Sequence, residues 1–159
     1  MSDIDRPWYR PVAAMLAANG HAGGFVVRFA EYRPDLVEGL AAALGLGLRD
    51  CRAEILAPLG WEAGRLPLAA LDAWLDRMTL DRVRGAGGIV AQNVEALLAA
   101  KPEAEQQAWL AALLGAGRPV PVVVPIVVLE RALPRASPRI VSLAADEVPE
   151  LTLLRRLLG

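Results

Sequence analysis

Few residues in this chain have the type and spacing to do chemistry. His21 is the sole histidine and Cys51 the sole cysteine. A multi-histidine metal site, a cysteine metal cluster and an internal disulfide are therefore excluded. A Ser-His-Asp triad would have to use His21 with Ser137 or Ser142, both distant from it in the sequence. Glu31-Tyr32-Arg33-Pro34-Asp35 sets one cation between two acids at the start of a helix. Arg33 could meet an anion there, although an exposed arginine at a helix start is the simpler expectation. Gln92-Asn93-Val94-Glu95 places two amides and an acid where an apolar strand ends. An amide accepts a hydrogen bond, but it lacks the charge that magnesium favours and is no base near neutral pH. Arg131, Arg135 and Arg139 recur along one loop and read as a surface for an acidic partner or as a solvated run. Asp72 and Asp76, four apart on a helix, read as a solvated face.

The elements that position these residues follow from periodicity and punctuation. Trp8 to Asn19 reads as a helix with Pro7 near its first turn and Gly20 past its end. Phe25 to Phe29 is a β-branched and aromatic run, hence a strand. A helix over Asp35 to Leu44 closes at Gly45. Leu48 to Ala57 is expected to hold a second strand, and Pro58 to Pro67 a loop carrying Trp61. Leu71, Trp74, Leu75 and Met78 mark one face of a helix from Leu68 to Met78. After Gly85-Ala86-Gly87-Gly88 comes a third strand, then a strand-to-coil corner from Asn93 or Val94 to Ala99. Pro102 to Gly115 is a helix with Glu103 and Glu105 at its positive end. Val120 to Leu129, the most apolar run, suits the centre of a parallel sheet. Arg139 to Leu143 is a fifth strand, and Pro149 to Leu158 is expected to form a C-terminal helix. This alternation predicts one α/β domain over residues 1–159, a three-layer α/β/α fold on a mostly parallel sheet of about five strands.

The run Gly88-Ile89-Val90-Ala91-Gln92-Asn93-Val94-Glu95-Ala96-Leu97-Leu98-Ala99-Ala100-Lys101, followed by a Gln- and Trp-bearing helix and Gly115-Ala116-Gly117-Arg118-Pro119-Val120, resembles the Walker B region of AAA+ and RecA-like ATPases. The DnaA-like replication-initiator branch and the small P-loop proteins of BREX phage-defence systems are similar in layout. The resemblance covers roughly Phe25 to Leu129, mainly as an order of elements. It places Gln92 and Asn93 where the family carries its acidic pair. It places the phosphate loop at Phe29-Ala30-Glu31-Tyr32-Arg33-Pro34-Asp35, which has no glycine, lysine, serine or threonine. The polar sensor would fall near Val124-Pro125-Ile126, where no polar side chain stands. The resemblance thus implies a degenerate NTPase fold without catalysis and without a bound cofactor. An unrelated α/β domain with the same strand-helix-strand layout is the alternative.

Composition bounds the partners. Net charge is −1 and the pI about 5.9, which disfavours nucleic acid without excluding a local arginine cluster. Hydrophobic residues make up 55%, which fits either a surface covered by a partner or simple alanine enrichment. The apolar run Val120 to Leu129 is too short to cross a bilayer, and the acidic N-terminus does not read as a signal peptide, so a cytoplasmic location is expected. The expected role is a non-catalytic interaction or regulatory subunit, with a protein partner and with homo-oligomers possible. Trp61, Arg131, Arg135, Arg139, Leu154 and Arg155 are its candidate interface residues, although Trp61 could instead plug the core. Two other roles remain open: a nucleotide-binding protein with an atypical site, and a DNA-associated accessory protein of a bacterial replication or phage-defence complex.

Overall fold

The computed structural model describes residues 7–82, 87–115 and 117–150. The chain runs α1 (Arg10–Ala18), β1 (Gly23–Phe29), α2 (Pro34–Leu44), β2 (Gly47–Asp50), α3 (Leu68–Arg82), β3 (Ile89–Gln92), α4 (Val94–Leu98), α5 (Glu103–Gly115), β4 (Pro121–Ile126) and β5 (Ile140–Leu143), with short 3-10 and π turns between. The five strands form one sheet in the order β2-β3-β4-β1-β5, and every pairing is parallel. Parallel neighbours need long crossovers, and the helices supply them on both faces. The protein is therefore a three-layer α/β fold.

Side-chain alternation along β1 divides the core. Val26 faces the layer of α3, α4 and α5, with Trp74, Leu97 and Leu110. Phe25, Val27 and Phe29 face α1 and α2, with Val12, Leu16 and Leu40. β4 is the middle strand and is buried throughout, as its composition predicts. Its prolines are tolerated because Pro121 opens the strand and Pro125 lies past the last β3 pair, Val90–Val123. Gly24 is required by α5: a Cβ there would lie 2.2 Å from the Leu113 carbonyl oxygen. Gly45 ends α2 at φ 67°, a left-handed stop, while Leu46 N–H bonds the Ala41 carbonyl.

Several expectations are corrected. The second strand ends at Asp50, and Arg52–Leu56 is a π turn. Asp50 causes the switch, since its Oδ1 accepts the Arg52 N–H at 2.9 Å and offers the backbone a helical start. The expected Pro58 to Pro67 loop is largely a 3-10 segment, Ala57–Arg65, kinked at Gly60. The corner after Asn93 is the helix α4. Asp72 and Asp76 do not form a merely solvated face. Asp72 accepts the Trp109 indole N–H at 2.8 Å, and Asp76 pairs with Arg118 at 2.8 Å, so α3 is tied to α5 and the segment after it. Pro149 and Glu150 are not helical, and the rest of the expected C-terminal helix, with Leu154 and Arg155, lies outside the described residues.

Candidate functional site

The connection from β1 runs toward the β2 edge, whereas the connection from β4 crosses β1 to reach β5. Successive connections thus diverge between β4 and β1, which opens a crevice at the carboxyl ends of these strands. A cleft of about 210 Å³ lies there. Phe29, Tyr32 and Arg33 line it from the β1–α2 turn, and Gln92, Asn93 and Glu95 from the end of β3. Val127 and Val128 close it from the loop after β4, and Arg52 reaches it from the turn after β2. Tyr32 and Val128 are exposed at its rim.

Four of the five expected positions therefore meet: Arg33, Gln92, Asn93 and Glu95. Glu31 does not line this cleft; it borders a separate small hollow with Leu36, Leu143 and Val148. Arg33 is not the exposed helix-start residue the sequence suggests. It is 8% exposed and bonds Asp35 with both arms, Nε to Oδ1 and Nη2 to Oδ2 at 2.9 Å each. Nη2 also donates to the Pro149 carbonyl at 2.7 Å. This bidentate pairing raises the Arg33 pKa above its usual value and holds the Asp35 carboxyl below the usual carboxylate range. The pair resists titration near neutral pH, and the Arg33 guanidinium already has a counter-ion.

Glu95 is also committed. Its carboxylate accepts the Val127 N–H at 3.0 and 3.1 Å, the Val128 N–H at 2.8 Å and the Leu129 N–H at 2.8 Å. Three successive backbone donors turned to one point form an anion-binding nest, and the anion in this nest is the protein's own side chain. No local signal announces this contact, since Glu95 and Val127 are 32 residues apart.

Asn93 sits at φ 64° and ψ 18°, a conformation that asparagine tolerates better than most residues. Its Nδ2 donates to Asp50 Oδ1 at 2.8 Å and ties the end of β3 to the end of β2. An aspartate at this position would set two carboxylates face to face, so the amide has a structural reason. The Gln92 side chain lines the cleft with no hydrogen bond among the described residues, and the Arg52 guanidinium is likewise unpaired there. Cys51, fully buried beneath this end of the sheet, has its thiol pushed up to about 12 by burial and by the charges of Asp50 and Glu54. It is an inert core group.

The remaining candidates lie elsewhere. Trp61 is 81% exposed with the Arg65 guanidinium 5.6 Å from its ring centroid, so it does not plug the core. Arg139 is drawn into the fold: it lies 4.8 Å over the Phe25 ring and donates to the Ala22 carbonyl at 2.8 Å. Arg131 and Arg135 stay exposed and line a different hollow. Ser137 caps the Arg139 N–H, and His21 makes no hydrogen bond to either serine. Among the described residues, no group of three or more His, Cys, Asp or Glu could hold a metal ion, and no helix is long and apolar enough to cross a membrane. No protein-family model, curated protein or solved structure matches this chain.

Proposed function

We propose that this chain is a non-catalytic interaction or regulatory subunit, built on an NTPase-like α/β scaffold whose nucleotide site is filled by its own side chains. One observation carries this reading. The two devices at the strand ends that could seat a phosphate, the Arg33 guanidinium and the nest at Val127–Leu129, are both occupied internally, by Asp35 and by Glu95. Placement of the cleft at the ends of β1, β3 and β4 supports the resemblance, because a nucleotide site of that type needs its phosphate loop, acidic pair and sensor to converge. The amides Gln92 and Asn93 and the glycine-free Ala30–Arg33 turn support the loss of catalysis.

A second reading, nucleotide binding at an unorthodox site, rests on the unpaired Gln92 and Arg52 in the cleft wall. Thermal melting with and without millimolar ATP and magnesium separates the two. A nucleotide at 100 times its Kd adds about 2.7 kcal/mol of stability, a readily measured rise in Tm. An unchanged Tm is expected. A saturable rise that disappears in Arg52→Ala would overturn the reading of a nucleotide site filled by the protein's own side chains in favour of the second.

A further inference from the structure

The loop after β4 has a second half that is built differently from its first. Glu130 to Ser137 arches over the β5 end of the sheet and encloses an open hollow of about 530 Å³. The sheet floor is Arg28, Ile140 and Ser142, which share a face because Val26 pairs with Ile140 and Arg28 with Ser142. Arg28 is paired with Glu130. Arg131 and Arg135 are exposed and have neither an ion pair nor a hydrogen bond among the described residues. Three arginines against one glutamate make this a cationic spot on a chain of net charge −1.

The same place offers backbone. Among the described residues, β5 pairs only with β1. Val26 N–H bonds the Arg139 carbonyl at 2.9 Å, which fixes the parallel register. In that register Val141 and Leu143 turn their N–H groups toward β1, so Ile140 and Ser142 turn theirs away. The Ile140 N–H is taken by the Ser137 carbonyl at 3.3 Å. Among the described residues, the Ser142 N–H and the Ile140 and Ser142 carbonyls have no partner and are turned to take another strand.

We propose that the β5 edge takes up an extended acidic segment of a partner protein. The partner strand bonds the Ser142 and Ile140 backbone, and its alternate side chains, which point to one face of the extended sheet, place carboxylates against Arg131 and Arg135. Charge complementarity selects the occupant. A nucleic acid fits the spot less well: its lining has no aromatic for base stacking, two unpaired arginines are few for tracking a phosphate backbone, and Glu130 would repel it. This inference rests on the reading of the chain as an interaction subunit, and it names the chemistry of the partner.

The test is fluorescence anisotropy with the full chain and a labelled peptide alternating Glu and Val, its Gln counterpart, and a single-stranded oligonucleotide. The Glu peptide is expected to bind saturably, more tightly than the Gln peptide, and to weaken as salt is raised to about 0.15 M. The double variant Arg131→Ala/Arg135→Ala, at exposed positions, is expected to lose affinity about tenfold. Ser142→Pro removes the outward donor and is expected to weaken binding in a variant whose Tm is retained. Absence of Glu-peptide binding, or equal binding by the arginine double variant, overturns the proposal. Tighter binding of the oligonucleotide through the same arginines also overturns it and assigns the hollow to nucleic acid. None of these outcomes touches the ATP result, so failure of the peptide and failure of the non-catalytic reading are told apart.

Discussion

The loop that leaves β4 serves two regions with opposite electrostatics. Its first two residues, Val127 and Val128, wall the cleft at the strand ends, where Glu95 is answered by the backbone nest and Arg33 by Asp35, and only the exposed Arg52 side chain has no partner among the described charged groups of the wall. Its continuation, Glu130 to Ser137, walls the β5 hollow, where Arg131 and Arg135 are unanswered among the described residues. A charge satisfied internally adds stability and is unavailable to a ligand. An unanswered surface charge adds little to stability and remains available. On the proposed reading, the buried charges of the strand-end cleft serve the fold, while the exposed arginines at the edge of the sheet stay available to a partner.

Mutation can break this contrast, and Glu95 is the place to begin. Glu95→Ala strips the acceptor from three N–H groups and is expected to cost about 3 kcal/mol in urea unfolding, with Glu95→Gln recovering only part. The variant should also gain stability from added phosphate or sulfate, because the nest is then vacant, whereas the native chain should not. If phosphate stabilises both equally, the nest is not what Glu95 fills.

Next in size is Arg33→Ala, expected to cost about 2 kcal/mol through loss of the bidentate pair and the bond to the Pro149 carbonyl. The pH dependence follows from the lowered Asp35 pKa. The carboxylate contributes its full share above the unfolded value near 3.9, and that share is lost as pH falls through the lower folded value. Asp35→Asn should therefore be less stable at neutral pH and lose less stability on acidification. Parallel acid-unfolding curves for Asp35→Asn and the native chain would refute the pairing.

A smaller effect is expected from Asn93→Asp, which replaces the amide donor by a carboxylate facing Asp50. Repulsion between two carboxylates at this separation costs about 1 kcal/mol in a well-hydrated setting, and the penalty should vanish at acid pH as they protonate. The smallest effects belong to exposed side chains, at the β5 edge and on the Ala57–Arg65 segment. Arg131→Ala, Arg135→Ala and Trp61→Ala should each change stability by less than about 0.5 kcal/mol, in keeping with exposed side chains. A large destabilisation from either arginine would erase the difference between the two regions.

Much of the layer plan was legible. The apolar run at Val120 to Leu129 announced the central strand because only a strand covered on both faces carries so few polar groups, although the strand itself is Pro121–Ile126 and Val127 to Leu129 leave it as loop. The three-four spacing of Leu71, Trp74, Leu75 and Met78 announced the buried face of α3, and Leu71, Trp74 and Leu75 are buried with Met78 packed beside them. The stretch after Cys51 misled because Asp50, a single side chain, redirects the backbone into a helical turn. The candidate site was legible only as a set of positions. Arg33, Gln92, Asn93 and Glu95 do meet, but the exposure expected of Arg33 was the reverse of what the fold makes of it.

The amino-acid sequence by itself determined the α/β class, the parallel centre and the absence of a glycine-rich phosphate loop, since these depend on local periodicity and on residue types. Only the tertiary structure decided the strand order, the meeting of Glu95 with the nest at Val127–Leu129, the burial of Arg33 beneath Pro149 and the parting of Arg139 from Arg131 and Arg135. The physical reason is range. Pattern reports which face of an element is apolar, whereas the partner of a charge is set by segments tens of residues away, brought close when the crossovers close the sheet.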